Sequence, residues 1–183
     1  PRRLDTNTGN RTASCALFYS FFIIRFNCIR DTLRLIHVVF TLPEVLNKTA
    51  LHEPKMLYDT LFETAWETLQ TFGKNKNLQM GMIAVLHTWG QNLSLHPHLH
   101  CIVPGGGVDE NGAWKNIKND GKFLFSVKAL SKVFRAKFCE KLKANLKDKF
   151  NENQENEYEK IRQSLWEKPW VVYAKKPFGS PKS

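Results

Sequence analysis

The chain of 183 residues is 42% hydrophobic and 12% aromatic, enough apolar side chain for one compact domain with its own core, and it excludes a low-complexity or disordered chain. Lys and Arg outnumber Asp and Glu by 27 to 17, and the resulting formal net charge of +10 favours polyanionic partners through counterion release. Its four cysteines include no C-x-x-C pair, which argues against a thiolate zinc module or a disulfide framework and fits a reducing, cytoplasmic setting.

In chain order, residues 1–34 carry no periodicity that assigns them a role. The apolar run Cys15–Ile24 is stopped by Arg25 with no small-residue cleavage site behind it. A bilayer span needs about 20 apolar residues, so no membrane partner is expected. Leu35–Leu42 is rich in β-branched and aromatic residues and predicts a strand. From Pro54 to about Phe72, Leu57, Leu61, Ala65 and Leu69 fall on one helical stripe, with Phe62 and Trp66 beside it. Pro54 suits the first turn, where a missing N–H costs little, and Gly73 is expected to close the end. Asp59, Glu63 and Glu67 make this helix a poor DNA-facing surface.

Met80–His87 reads as a second strand, Gly90-Gln91-Asn92 as a turn, and His96-Pro97-His98-Leu99-His100-Cys101 as the return strand of a hairpin. Gly105-Gly106-Gly107 is expected to end that strand and leave open backbone beside the histidines, with Asn111-Gly112 as a further turn. From Val127 to Phe150, Val127, Leu130, Phe134, Phe138, Leu142 and Leu146 recur at helical spacing. Lys128, Lys132, Arg135, Lys137 and Lys141 lie between them, offset only by Glu140 and Asp148, and are candidate contacts to a DNA backbone. The Asn- and Glu-rich segment 151–160 reads as a loop or a solvated helix start, and Trp170–Tyr173 as a last strand. Strands interleaved with helices predict an α+β architecture, a central antiparallel sheet backed by helices.

The histidines carry the chemistry. Alternate residues of a strand share a face, so His96, His98 and His100 line one surface while Leu99, Cys101 and Val103 face the other. One strand can then offer several imidazoles to a divalent ion. Lone histidines are more often half-buried polar residues, and only their clustering raises the metal reading above that one.

The block from Leu35 to Gly107 includes Val38-Val39-Phe40-Thr41-Leu42-Pro43, Leu86-His87-Thr88-Trp89-Gly90-Gln91 and His96-Pro97-His98-Leu99-His100. It resembles the rolling-circle transposases of the insertion-sequence-ninety-one type, which are HUH single-strand nucleases. The resemblance implies a central antiparallel sheet carrying the histidines. It implies that His98 and His100 hold Mg²⁺ or Mn²⁺ against a scissile phosphate of single-stranded DNA while a tyrosine hydroxyl attacks phosphorus. Imidazole is a poor match for Mg²⁺, so a third ligand is expected. His96 and Gln91 are candidates, and His87 on the neighbouring strand could be an outer-sphere residue or core.

Residues 35–183 then correspond to part of an HUH catalytic domain. The family's Tyr-x-x-x-Tyr pair has no counterpart among Tyr19, Tyr58, Tyr158 and Tyr173. Tyr173 is expected to be a structural residue of the last strand rather than a nucleophile. Tyr158, between Glu157 and Glu159, is less suited still, because negative charge opposes both DNA approach and phenolate formation. The expected function is the metal- and DNA-binding part of a transposase, with little cleavage by these residues alone. Two alternatives compete with it: a His-ligated metal enzyme acting on small molecules, and a non-catalytic nucleic-acid-binding module.

Overall fold

The structure, a computed structural model, describes residues 34–90, 92–118, 124–146 and 152–175. The apolar run Cys15–Ile24 and Gln91 lie outside them. A four-stranded sheet forms from β1 (Leu35–Thr41), β2 (Ile83–Trp89), β3 (Leu95–Pro104) and β6 (Val172–Lys175) in the spatial order β2-β3-β1-β6. Each neighbouring pair is antiparallel. Between β1 and β2 run a 3-10 turn, Glu44–Leu46, and the helices α1 (Asn47–His52) and α2 (Pro54–Lys74). After β3 come a small ribbon of β4 (Gly106–Val108) and β5 (Trp114–Asn116), then α3 (Val127–Leu146) and α4 (Glu152–Glu167). The α+β architecture expected from the sequence is the one formed, and the acidic segment after residue 151 is helix from Glu152 onward.

The core lies on one side of the sheet. Val38, Phe40, Leu99, Cys101 and Val103 are fully buried, and against them pack Leu57, Leu61, Ala65 and Leu69 of α2 and Leu130, Phe134 and Phe138 of α3. The Phe40 and Phe134 rings lie 4.8 Å apart and tilted, a favourable aromatic geometry. Where α2 meets α3, threonines replace larger apolar residues. Thr60, Thr64 and Thr68 are buried, and each hydroxyl donates to the carbonyl four residues back at 2.7 Å, which satisfies it inside the helix.

Gly73 is the last residue but one of α2 rather than its stop, and it is glycine because a Cβ there would meet Met80 Cγ at 2.5 Å and the Leu78 carbonyl at 2.7 Å. The helix instead ends through Asn75, and Asn77 takes φ 54° as the chain turns back over Gly73. The glycines after β3 also act differently from the expectation. They stand about 20 Å along the chain from His100, at about 3.3 Å per residue, and so leave no open backbone beside the histidines. Their role is close packing: a Cβ on Gly106 would run into Trp114, and one on Gly107 would lie 2.5 Å from the Gln79 carbonyl. Asn111-Gly112 is the expected turn, with Gly112 at φ 77°.

β6 is pinned to the helices. The Ser131 hydroxyl donates to the Trp170 carbonyl at 2.6 Å, and the Trp170 indole N–H donates to the Leu165 carbonyl at 3.0 Å. No described helix is long and apolar enough to cross a membrane.

Candidate metal centre

Burial alternates strictly along β3, with Pro97, Leu99, Cys101 and Val103 inside and His96, His98, His100 and Ile102 partly exposed. Strand register extends this second face across the sheet. His98 stands opposite His87 of β2 and Thr41 of β1, and His100 opposite Val85 of β2 and Val39 of β1. Tyr173 of β6 pairs with Val39 and shares the face. This face is open: Ile83 is 57% exposed, Val85 40% and Tyr173 53%.

On it His87, His98 and His100 each bring a ring nitrogen within 4.8 Å of the others. Their rings lie 4.4 to 5.3 Å apart. His98 Nδ1 is 2.6 Å from the His96 carbonyl. A carbonyl only accepts, so Nδ1 carries the proton and the Nε2 lone pair is left free. His100 Nδ1 is 2.7 Å from His37 Nε2, which likewise leaves its Nε2 for other contacts. Burial, with the imidazoles of His87, His98 and His37 nearby, lowers the His100 pKa to about 4, so it stays neutral at ordinary pH. A neutral imidazole with a free lone pair is the form that binds metals.

The residues fit a cation. Metal–nitrogen bonds of about 2.0–2.2 Å hold two ligand atoms no further apart than about twice that length, which small side-chain rotations reach from the observed spacing. A three-imidazole set suits transition ions better than Mg²⁺, which prefers oxygen. His98 and His100 were legible from strand alternation. The third imidazole that meets them is His87, while His96 lies outside the trio, its ring 5.3 Å from that of His98 and its carbonyl holding the His98 ring. His87 is exposed, so it is not core. Only the pairing of His87 with His98 assigns it to the site, and a register shift between His87 and Trp89 hides that pairing from simple counting. His37 was not singled out by sequence reasoning at all.

The basic residues of α3 are placed otherwise. α3 packs on the Phe40 face, behind the sheet from the histidines. Lys141 pairs with Glu63 and Glu67 of α2, both at 2.8 Å, and Lys137 with Glu67 at 3.8 Å, so the acids of α2 offset charge that α3 alone shows as basic. Arg135 lies 4.5 Å over the Trp166 ring and donates to the carbonyls of Trp166 and Lys168. Lys128 and Lys132 are exposed on the same helix.

Residues 81–183, which include all of the histidine trio, match the family described as "Putative transposase". The chain belongs to this transposase family. Among similar transposases, the "Putative transposase y4qJ" of Sinorhizobium fredii (strain NBRC 101917 / NGR234) is 40% identical over 156 residues, covering 79% of this chain and 39% of that protein. The "Transposase for insertion sequence element IS801" of Pseudomonas savastanoi pv. phaseolicola is 42% identical over 81 residues, covering 44% of this chain and 20% of that protein. The chain therefore spans well under half the length of these relatives. Among solved structures, the conjugative relaxase TrwC in complex with mutant OriT DNA superposes with a TM-score of 0.47 at 15% identity, covering 58% of this chain and 43% of that one.

Proposed function

We propose that this part of the transposase holds a divalent ion at His87, His98 and His100 and binds single-stranded DNA across the open face of the sheet. It would form the metal-binding half of an enzyme that nicks and joins strands through a phosphotyrosine. The observation that carries the reading is the convergence of three imidazoles from two adjacent strands on the uncovered face of a transposase-family sheet.

When bound, the ion supplies Lewis acidity, drawing charge from a phosphoryl oxygen of the strand to be cut. The residues of the chain do the rest. His98 presents Nε2 because its Nδ1–H is committed to the His96 carbonyl, and His100 stays neutral and ready to ligate. The nitrogen-rich donor set of His87, His98 and His100 would favour Mn²⁺ over Mg²⁺. The net charge of +10 supports salt-sensitive affinity for a polyanion. α3 lies behind the sheet from the histidines, so its exposed Lys128 and Lys132 would add backbone contacts only to a strand that continues around the sheet, while Lys137, Lys141 and Arg135 are engaged within the protein. Tyr173 stands two strands away from His100, and we do not assign the nucleophile to it. Work on DNA, and free thiols at Cys101 and Cys139, fit a cytoplasmic protein.

The test is a calorimetric Mn²⁺ titration, paired with binding of end-labelled single-stranded DNA. The chain should bind Mn²⁺ saturably, His98→Ala should not, and DNA affinity should fall steeply with salt. Equal Mn²⁺ uptake by the parent and by His98→Ala would refute the assignment.

A further inference from the structure

His37 of β1 is not part of the trio, yet it touches it. Its Nε2 lies 2.7 Å from His100 Nδ1, and the two rings are nearly parallel, 8° apart, with centroids separated by 4.9 Å. That separation is the sum of the nitrogen–nitrogen contact and the two ring radii. The rings therefore meet end to end in one plane, as in a straight N–H···N hydrogen bond, and are not piled face on face.

A neutral imidazole has one N–H and one lone pair. If His100 is to offer Nε2 to a cation, its proton must sit on Nδ1, and Nδ1 then needs an acceptor. Metal-binding histidines commonly find that acceptor in a carboxylate or a backbone carbonyl. His98 uses the His96 carbonyl, but among the described residues the partner in place at His100 Nδ1 is another imidazole. No Asp or Glu belongs to the cluster among the described residues.

The geometry points to His37 as the positioning residue of the metal centre, accepting the Nδ1–H of His100 and so fixing both the tautomer and the ring plane that present Nε2 to the ion. This inference rests on the metal reading above and assigns a residue outside the ligand set. His37 reaches His100 from β1 rather than from the hairpin that carries the trio. The ligand set is thus tied to the pairing of β1 with β3, where His37 stands opposite Ile102 and beside the row of His100.

The test uses the full chain, ¹⁵N-labelled, with His37→Phe and His37→Gln. Phe keeps a flat ring without an acceptor, whereas the Gln amide oxygen reaches the place of Nε2. Long-range imidazole ¹H–¹⁵N spectra of the metal-free parent should show His100 protonated at Nδ1, and His37→Phe should lose that signature. Mn²⁺ affinity should fall about 10–100-fold in His37→Phe, the range for removing an outer-sphere partner, and His37→Gln should recover most of it. An unchanged His100 tautomer in His37→Phe, or unchanged Mn²⁺ affinity, would overturn the inference while leaving the metal reading standing. Complete loss of binding, equal to that of His98→Ala, would make His37 a ligand and overturn its positioning role. A parent chain that takes up no Mn²⁺ would refute the metal reading itself, and this inference with it.

Discussion

The two faces of the four-stranded sheet are made by the same strands, yet they carry opposite chemistry. Behind it, Val38, Phe40, Leu99, Cys101 and Val103 are sealed under α2 and α3. In front, one residue away along each strand, stand His37, His98 and His100, partly buried, and His87 and Tyr173, exposed. An antiparallel sheet needs only one buried face to be stable, and the other is then free to hold polar groups in a fixed array. Rigidity comes from the back, and the front spends little stability on its chemistry.

That contrast can be broken by substitution. Phe40→Ala, which empties a fully buried ring from the contact with Phe134, is expected to cost about 3–5 kcal/mol in urea unfolding. Tyr173→Ala on the front should cost under about 1 kcal/mol, the range of a cross-strand pair. Comparable losses would mean that the front face is packed too. Gly73→Ala sharpens the same point, since alanine normally strengthens a helix. Here its Cβ meets the Leu78 backbone, so overpacking of about 1–3 kcal/mol should win and the midpoint should drop.

The charged residues of α3 allow a smaller test. Lys141→Ala removes exposed ion pairs to α2, so stability should fall by about 0.2–1 kcal/mol while DNA affinity stays near that of the parent. Lys128→Ala combined with Lys132→Ala should instead weaken DNA binding and flatten its salt dependence, leaving stability almost unchanged. The reverse pattern would place the paired lysines, not the free pair, at the DNA.

A last effect is confined to the acid range of pH. The native His100 pKa lies near 4, against an ordinary value of 6.5, so between those values the unfolded chain holds more protons at this position than the folded one. Its contribution to stability is therefore complete above about pH 6.5 and is lost as pH falls toward about 4. Unfolding midpoints across that window should decline more steeply for the parent than for His100→Gln, and parallel curves would contradict the cause assigned to the shift.

How much of this was legible beforehand depended on range. Strand alternation in His96–Val103, the Leu57–Leu69 stripe and the α3 stripe from Leu130 to Leu146 are local periodicities that formed as read, whereas Val127, read as the first member of the α3 stripe, is exposed. The role of Gly73 was misread because a glycine near a helix end ordinarily marks its stop, whereas here the returning chain presses on it. The lysines of α3 were read as a free basic side because their partners, Glu63 and Glu67, lie on a helix some seventy residues earlier.

Resemblance to known proteins places the chain in a transposase family; the sequence by itself determined the β-strand that carries alternating imidazoles and the amphipathic helices that bury its other side. These follow from side-chain period and residue type, which neighbours along the chain express without help. Only the tertiary structure decided which imidazoles meet. Hydrogen-bond register between strands brings His87 to His98 and His37 to His100, and register is set by the loop between β2 and β3 and by packing across the whole sheet, not by any short stretch of residues.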